Sequence, residues 1–267
     1  MDPVIVMEGA GPVILAQPHS GTYLPEALAA RLNDRGRALA DTDWHIDQLY
    51  AELLSRATVV RATFSRYLVD ANRDPSGVSL YPGQNTTGLC PTIDFDGEPI
   101  YREGEEPGPE EIEERRLAYH APYHAALAQQ IERVKGLHGF CLLYDCHSIR
   151  SEVPYLFEGL LPVFNLGSNG GASLDTALEA EALAVCREAE AEGFDCVLNG
   201  RFKGGWTTRH YGRPAEGVQA LQMELAQRAY MEESPPWRWR GDRADRVRPI
   251  LQRLLERLEA RLLRLAA

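Results

Sequence analysis

Short runs of consecutive apolar positions alternate along this chain with longer stretches in which apolar residues recur every three or four positions. The short runs are rich in β-branched and aromatic residues. They predict strands at Val4–Met7, Val13–Ala16, Thr58–Ala62, Tyr67–Val69, Phe140–Tyr144, Val163–Leu166 and Val218–Leu225. Asp41, Thr42 and Asp43 offer caps for a helix over Trp44–Arg56 that puts Ile46, Leu49, Tyr50 and Leu53 on one face. Glu110–Val134 reads as a long charged helix kinked at Pro122, and Leu174–Glu192 as one rich in alanine and glutamate. The last helix, Asp242–Leu265, sets Val247, Ile250, Leu251, Leu254, Leu255, Leu258 and Leu262 at core-facing spacing. This alternation predicts an α/β fold with a central mixed, mainly parallel sheet flanked by helices. Tyr81–Pro109 has neither period and is rich in proline and glycine. Long loops in compact domains are usually functional or disordered, and a place beside the substrate pocket is the expectation here, against a plain surface excursion.

A chain of 267 residues, 44% hydrophobic and 25% charged, buries enough surface for one core, so a single domain spanning residues 1–267 is expected. No stretch has the length and apolarity of a membrane span, and the first residues lack the basic flank and cleavage site of a signal peptide. The expected compartment is cytoplasmic. Five cysteines at irregular spacing, with no CxxC pair, fit neither a disulfide framework nor a cysteine-rich zinc module. The net charge of −11 argues against nucleic acid or an anionic membrane as partner, and no protein partner is implied. Taken alone it also argues against an anionic substrate.

Ligands in α/β folds collect where strands end. His19 follows the run Val13–Pro18, and His147 follows the run Phe140–Cys146. Either histidine alone reads as a hydrogen-bonded structural residue, but two with carboxylates nearby suit metal ligation. Asp41, Asp43 and Asp47 stand at a helix start, where capping alone accounts for one or two of them. Asp145, two residues before His147, is either an orienting partner or a satisfied strand-end carboxylate. Glu224 lies inside an otherwise buried strand, where a carboxylate is costly unless it is paired or used, for instance as a general base. Arg66, Arg73, Arg201, Lys203 and Arg209 fall in the same segments and suit either salt bridges or an anion pocket. His120 and His124 have the helical spacing of a zinc pair, but the glutamate of HExxH is missing and Pro122 interrupts the helix. Gly167–Gly171 reads as a turn. Cys146, as neighbour of His147 on a strand, faces the opposite side, which disfavours a Cys–His dyad.

The segments PHSG at 18–21, DTDW at 41–44, SRYLVDANR at 65–73, DCHS at 145–148, FNLG at 164–167 and NGRFKGGWTTRHYG at 199–212 together resemble the N-formylglutamate amidohydrolase family. They run in order over most of the chain, and the 199–212 block is the specific one. The resemblance implies a fold similar to the zinc carboxypeptidases and aspartoacylases. It further implies a Zn²⁺-dependent hydrolase of a small anionic substrate, N-formyl-L-glutamate, yielding formate and L-glutamate in histidine degradation. On the same resemblance His19 and His147 are metal ligands, with Asp43 as the third and Asp47 in reserve, because Thr22 stands where relatives carry a ligating glutamate. Glu224 takes the place of the general base and Arg66 that of the carbonyl-polarising group. Asn72, Arg73 and Arg209 hold the substrate carboxylates, and Trp206 or the Tyr81–Pro109 loop closes the pocket. Two positions depart from the family pattern, Ala71 for leucine and His120 for tryptophan.

The rival readings are a related zinc amide hydrolase with another acyl group, a metal-free hydrolase using Cys146 or Ser20, and a non-catalytic dicarboxylate binder. The charge argument against an anion gives way here, because Arg66, Arg73, Arg209 and a metal make a local cationic well. Charge is also segregated. Nine arginines face four carboxylates from Arg238 onward, and seven glutamates lie between Glu103 and Glu114. Both stretches read as solvated faces, and the basic helix is expected to pack beside the acidic stretch.

Overall fold

The computed structural model describes residues 1–79 and 83–265. Strands β1 (Val4–Met7), β2 (Val13–Gln17), β3 (Thr58–Ala62), β4 (Cys141–Ile149), β5 (Phe164–Gly167), β6 (Cys196–Leu198) and β7 (Val218–Ala226) form one sheet in the order β1-β3-β2-β4-β7-β5-β6. Pairing is parallel at β2–β3, β2–β4, β4–β7 and β5–β6, and antiparallel at β1–β3 and β5–β7. The sheet is therefore mixed and mainly parallel, as the pattern predicts. Every residue of β2, β4, β5 and β7 is buried, which explains why these strands read as continuous apolar runs.

Helices α1 (Glu26–Arg31), α2 (Asp34–Arg37), α3 (Ile46–Tyr50), α4 (Pro109–Arg115), α5 (Ala121–His138), α6 (Thr176–Glu188), α7 (Trp206–Tyr211) and α8 (Gly241–Leu265) surround it. Leu142, Tyr144, Cys146, Leu221 and Met223 pack against the apolar sides of α3, α6 and α8 on one face. Cys141, Leu143 and Ala220 pack beneath Tyr123, Leu127, Ile131 and Val134 of α5 on the other. All seven residues of the stripe on α8 are buried.

Four local expectations need correction. Tyr67–Val69 is buried but is a turn, because the Ser65 carbonyl and hydroxyl accept from the N–H groups of Leu68 (2.9 Å) and Tyr67 (3.2 Å). The helix expected to reach Arg56 ends at Tyr50. Ala51 turns extended, Glu52 is left-handed, and the guanidinium of Arg248 takes the carbonyls of Gln48, Leu49 and Ala51. The kink at Pro122 is a π-helical turn over Arg116–His120 between α4 and α5. The arginines of α8 do not meet the 103–114 stretch. Arg257 pairs with Glu181 (2.5 Å) and Glu188 (2.8 Å), and Arg253 with Glu192 (3.2 Å), all in α6 or the 3₁₀ turn after it. Sequence pattern also missed β6 and the short helices α1, α2 and α7, each too brief to show a period.

Apolar burial, more than these exposed ion pairs, should hold α8 in place. Leu254→Ala is expected to cost roughly 2–5 kcal/mol in denaturant unfolding, whereas Arg257→Ala should cost no more than about 1 kcal/mol.

Candidate active site

Alternation along β4 turns one face from core to chemistry. Cys141 and Leu143 lie beneath α5, and Asp145 and His147 continue the same face. On β7, Glu224 stands opposite His147 in register and Gln222 opposite Asp145. His19 arrives just past the end of β2, and the backbone N–H of Asp43 donates to the His19 carbonyl (3.1 Å).

Three ligand-type atoms converge there. His147 Nδ1 lies 3.2 Å from both His19 Nδ1 and Asp43 Oδ2, and His19 Nδ1 lies 3.7 Å from Asp43 Oδ2. Ligand bonds of about 2.0–2.2 Å in tetrahedral array put neighbouring donor atoms about 3.3–3.6 Å apart, so the spacing fits one small divalent ion. Among the described residues this is the one group of three or more such side chains. The outward nitrogens have carboxylate partners, as metal-binding histidines usually do. His19 Nε2 lies 2.7 Å from Asp70 Oδ1, and His147 Nε2 lies 3.0 Å from Asp145 Oδ2 in an ion contact that is not an aligned hydrogen bond.

Charge supports the same fit. Asp43, Asp70, Asp145 and Glu224 are buried together with Arg66 and the half-buried Arg73 as the nearby cations. Asp43 Oδ1, Asp70 Oδ2 and both oxygens of Asp145 have no hydrogen-bond partner. Such a surplus of buried carboxylate is costly without a further cation. Burial opposes ionisation of Asp43, but His147, His19 and Arg66 outweigh it and hold this carboxyl well below the usual range. For Glu224 burial wins, with Asp43 and Asp145 adding to it against His147 and Arg66, and its carboxyl is pushed up to about 7. Gln222 Nε2 donates to Glu224 Oε2 (3.1 Å).

A cavity of about 210 Å³ opens over this cluster. His19, His147, Glu224, Arg66, Asn72 and Arg73 all line it. The Arg66 guanidinium donates to His19 Nδ1, the lone pair an ion would take, and stacks 4.8 Å from the Phe95 ring centre. Asn72 is aimed by three contacts: its N–H donates to Asp70 Oδ1 (2.8 Å), its Oδ1 accepts from Thr207 N–H (2.8 Å), and its Nδ2 faces His147 Nε2 (3.0 Å). Gly205 is required beside it, since a Cβ there would sit 2.3 Å from Asn72 Nδ2. Arg73 Nη2 donates to Thr87 Oγ1 (2.9 Å).

Some expected groups lie elsewhere. Asp47 is 42% exposed and pairs with Arg61 (2.5 Å). Arg209 sits on α7 with Nε on the Gly204 carbonyl (2.9 Å) and is not among the described residues lining the cavity, whereas Arg201 is. Trp206 packs on His120 and His124 instead of closing the cavity. Of the Tyr81–Pro109 loop, Tyr81 and Pro82 lie outside the described residues, and Asn85–Leu89 and Phe95 form cavity wall. Cys146 faces the other core, and burial raises its thiol well above the usual range. Ser20 Oγ has no hydrogen-bond partner, so no base touches it. Sequence reasoning missed the roles of Asp70 and Gln222. Asp70 ends an apolar run as Glu224 interrupts one, and that was the available signal.

Residues 11–231 match the family model described as N-formylglutamate amidohydrolase. The chain is 49% identical over 263 residues to an N-formylglutamate deformylase of Pseudomonas aeruginosa and 46% identical over 263 residues to one of Pseudomonas putida, covering 97% of each protein. A crystal structure of an N-formylglutamate amidohydrolase from Ralstonia eutropha JMP134 superposes with a TM-score of 0.76 at 27% identity, over 100% of this chain and 97% of that one.

His120 and His124 are not ion ligands. Their Nε2 atoms lie on the backbone carbonyls of Arg73 (3.1 Å) and Ala71 (2.7 Å). Burial, reinforced by His120, lowers His124 from 6.5 to about 3. The unfolded chain therefore takes up a proton below pH 6.5 that the folded chain refuses, so this contribution is complete above 6.5 and is lost as pH falls towards 3. His124→Phe removes the term. Between pH 7.5 and 5 the variant is expected to lose about 2 kcal/mol less stability than the parent chain, read from denaturant curves at each pH.

Proposed function

This chain belongs to the N-formylglutamate amidohydrolase family, and on that premise we propose that it hydrolyses N-formyl-L-glutamate to formate and L-glutamate with one bound divalent ion, zinc in this reading. The observation that carries the proposal is the convergence of His19, His147 and Asp43 beneath a cavity that His19, His147 and Glu224 line together. In this reading His19 Nδ1, His147 Nδ1 and Asp43 Oδ2 hold the ion. When bound it supplies Lewis acidity to the formyl carbonyl and to a water molecule.

Glu224 removes a proton from the attacking water as oxygen bonds to the formyl carbon. A carboxyl pushed up to about 7 is matched to taking and returning protons near neutrality. The same proton then goes to the amide nitrogen as the C–N bond breaks, since an amide nitrogen leaves poorly as an anion. Arg66, fixed by Phe95 and carried to the rim of the triad, stabilises the oxyanion of the tetrahedral species, an interaction worth roughly 3–4 kcal/mol per well-placed donor. Asn72 and Arg73 take one substrate carboxylate and Arg201 the other, so that remote binding energy aligns the small formyl group. Arg209 contributes through the Gly204–Gly205 turn that abuts Asn72. Cytoplasmic residence and a place in histidine degradation belong to the same proposal. No helix among the described residues is long and apolar enough to cross a membrane.

Purified protein is expected to carry about one equivalent of divalent metal, and chelation should abolish formate release from N-formyl-L-glutamate; full activity in metal-free protein overturns the reading. Glu224→Gln should retain the metal while kcat falls roughly 10²–10⁴-fold, measured by coupled formate assay. A panel of N-acyl glutamates and aspartates should rank the formyl glutamate highest in kcat/KM.

A further inference from the structure

The Asp70–Arg73 segment carries Asn72 and Arg73 into the cavity wall, yet it belongs to no strand or helix. Its backbone groups therefore have no ladder to satisfy them. Asp70 N–H donates to the Leu89 carbonyl (2.7 Å), and Arg73 N–H to the Asp70 carbonyl (3.2 Å). The carbonyls of Ala71 and Arg73, on either side of Asn72, point away from the cavity and are met from behind by His124 Nε2 (2.7 Å) and His120 Nε2 (3.1 Å). A carbonyl only accepts, so both Nε2 atoms carry hydrogen, and His124 Nδ1 faces the Tyr211 hydroxyl (3.1 Å), which also donates to the His124 carbonyl (3.2 Å).

These imidazoles are held as rigidly as the groups they hold. Their ring centres are 4.3 Å apart, and Trp206 packs edge-on to His124 at 4.6 Å. Trp206 opens α7, whose next residue, Thr207, donates to Asn72 Oδ1. One stack thus braces the segment from α5 and from α7 together. The π-helical turn is part of the device. Ala121 N–H reaches back to the Arg116 carbonyl, and the widened turn ends on His120 just before Pro122. Single wide turns of this kind collect at functional sites.

We propose that His120 and His124 are positioning residues for substrate binding, two imidazole donors that grip the carbonyls flanking Asn72 and so aim Asn72 and Arg73 at a substrate carboxylate. The inference rests on the reading above that Asn72 and Arg73 bind such a carboxylate. It assigns a use to a histidine pair that the hydrolytic chemistry leaves idle.

The test is steady-state kinetics on N-formyl-L-glutamate with the metal-loaded enzyme. His124→Phe keeps a flat ring and loses the donor, whereas His124→Gln restores an N–H donor. His124→Phe is expected to raise KM about five- to twentyfold with kcat within threefold, and His124→Gln to return KM to within threefold of the parent enzyme. In an Arg73→Met background His124→Phe should lower kcat/KM by a smaller factor than in the parent enzyme, because part of its effect runs through Arg73. Should His124→Phe fail to fold, His120→Phe, at the outer end of the stack, is held to the same KM criterion. An unchanged KM in the folded phenylalanine variant, full additivity with Arg73→Met, or a glutamine variant no better than the phenylalanine one overturns the proposal. If Arg73→Met alone leaves KM unchanged, the carboxylate-binding reading fails instead, and the two failures are distinct.

Discussion

Burying more carboxylate than guanidinium where β2 and β4 end is the constraint on which the rest of the structure depends. Asp43, Asp70 and Asp145 are each almost fully enclosed, and a buried charge left alone costs several kcal/mol. The fold meets that cost by crossing the charges. Asp70 takes His19, Asp145 lies against His147, Asp43 lies between the two imidazoles, and Arg66 comes within 4.0 Å of both Asp43 and Asp70. Removing any one member strands another, so the cluster has little freedom to drift.

The same crossing separates the duties of two neighbouring carboxylates. Asp43 has imidazoles and a guanidinium against it and stays ionised. Glu224 shares those neighbours at longer range, faces the other carboxylates, and gives way to burial. One register position on adjacent parallel strands, His147 beside Glu224, thereby brings a ligand-type residue and a carboxyl raised to about 7 onto one wall without either replacing the other.

Much of this was legible in the chain, and its illegible parts have physical reasons. Alternation and run length located β2, β4, β7 and α8, because burial on one or both faces writes itself into successive residues. His19, His147 and Glu224 stood out as polar residues in or just beyond such runs. Tyr67–Val69 misled because a buried turn needs apolar side chains as much as a strand does, and what marks the turn is the pair of bonds to the Ser65 carbonyl and hydroxyl. Only the resemblance favours Asp43 over Asp47, since both sit at the helix start; in the structure the backbone of Asp43 bonds to His19 while Asp47 pairs outward with Arg61. Arg201 and Arg209 flank one glycine turn eight residues apart, and the pattern did not show that the former would line the cavity while the latter bonds the Gly204 carbonyl.

His19 and His147 are 128 residues apart in sequence, and the strand order bears on how the protein comes to exist. All three ligand-type residues lie within the part of the chain that ends with β4, whereas Glu224 arrives with β7, which must pair along the far edge of β4. Closing such long loops is entropically slow and comes before its reward. As the chain emerges from the ribosome, amino end first, all three residues of the cluster are therefore made before Glu224. The strand that carries Glu224 is thus the one whose late pairing with β4 completes the wall.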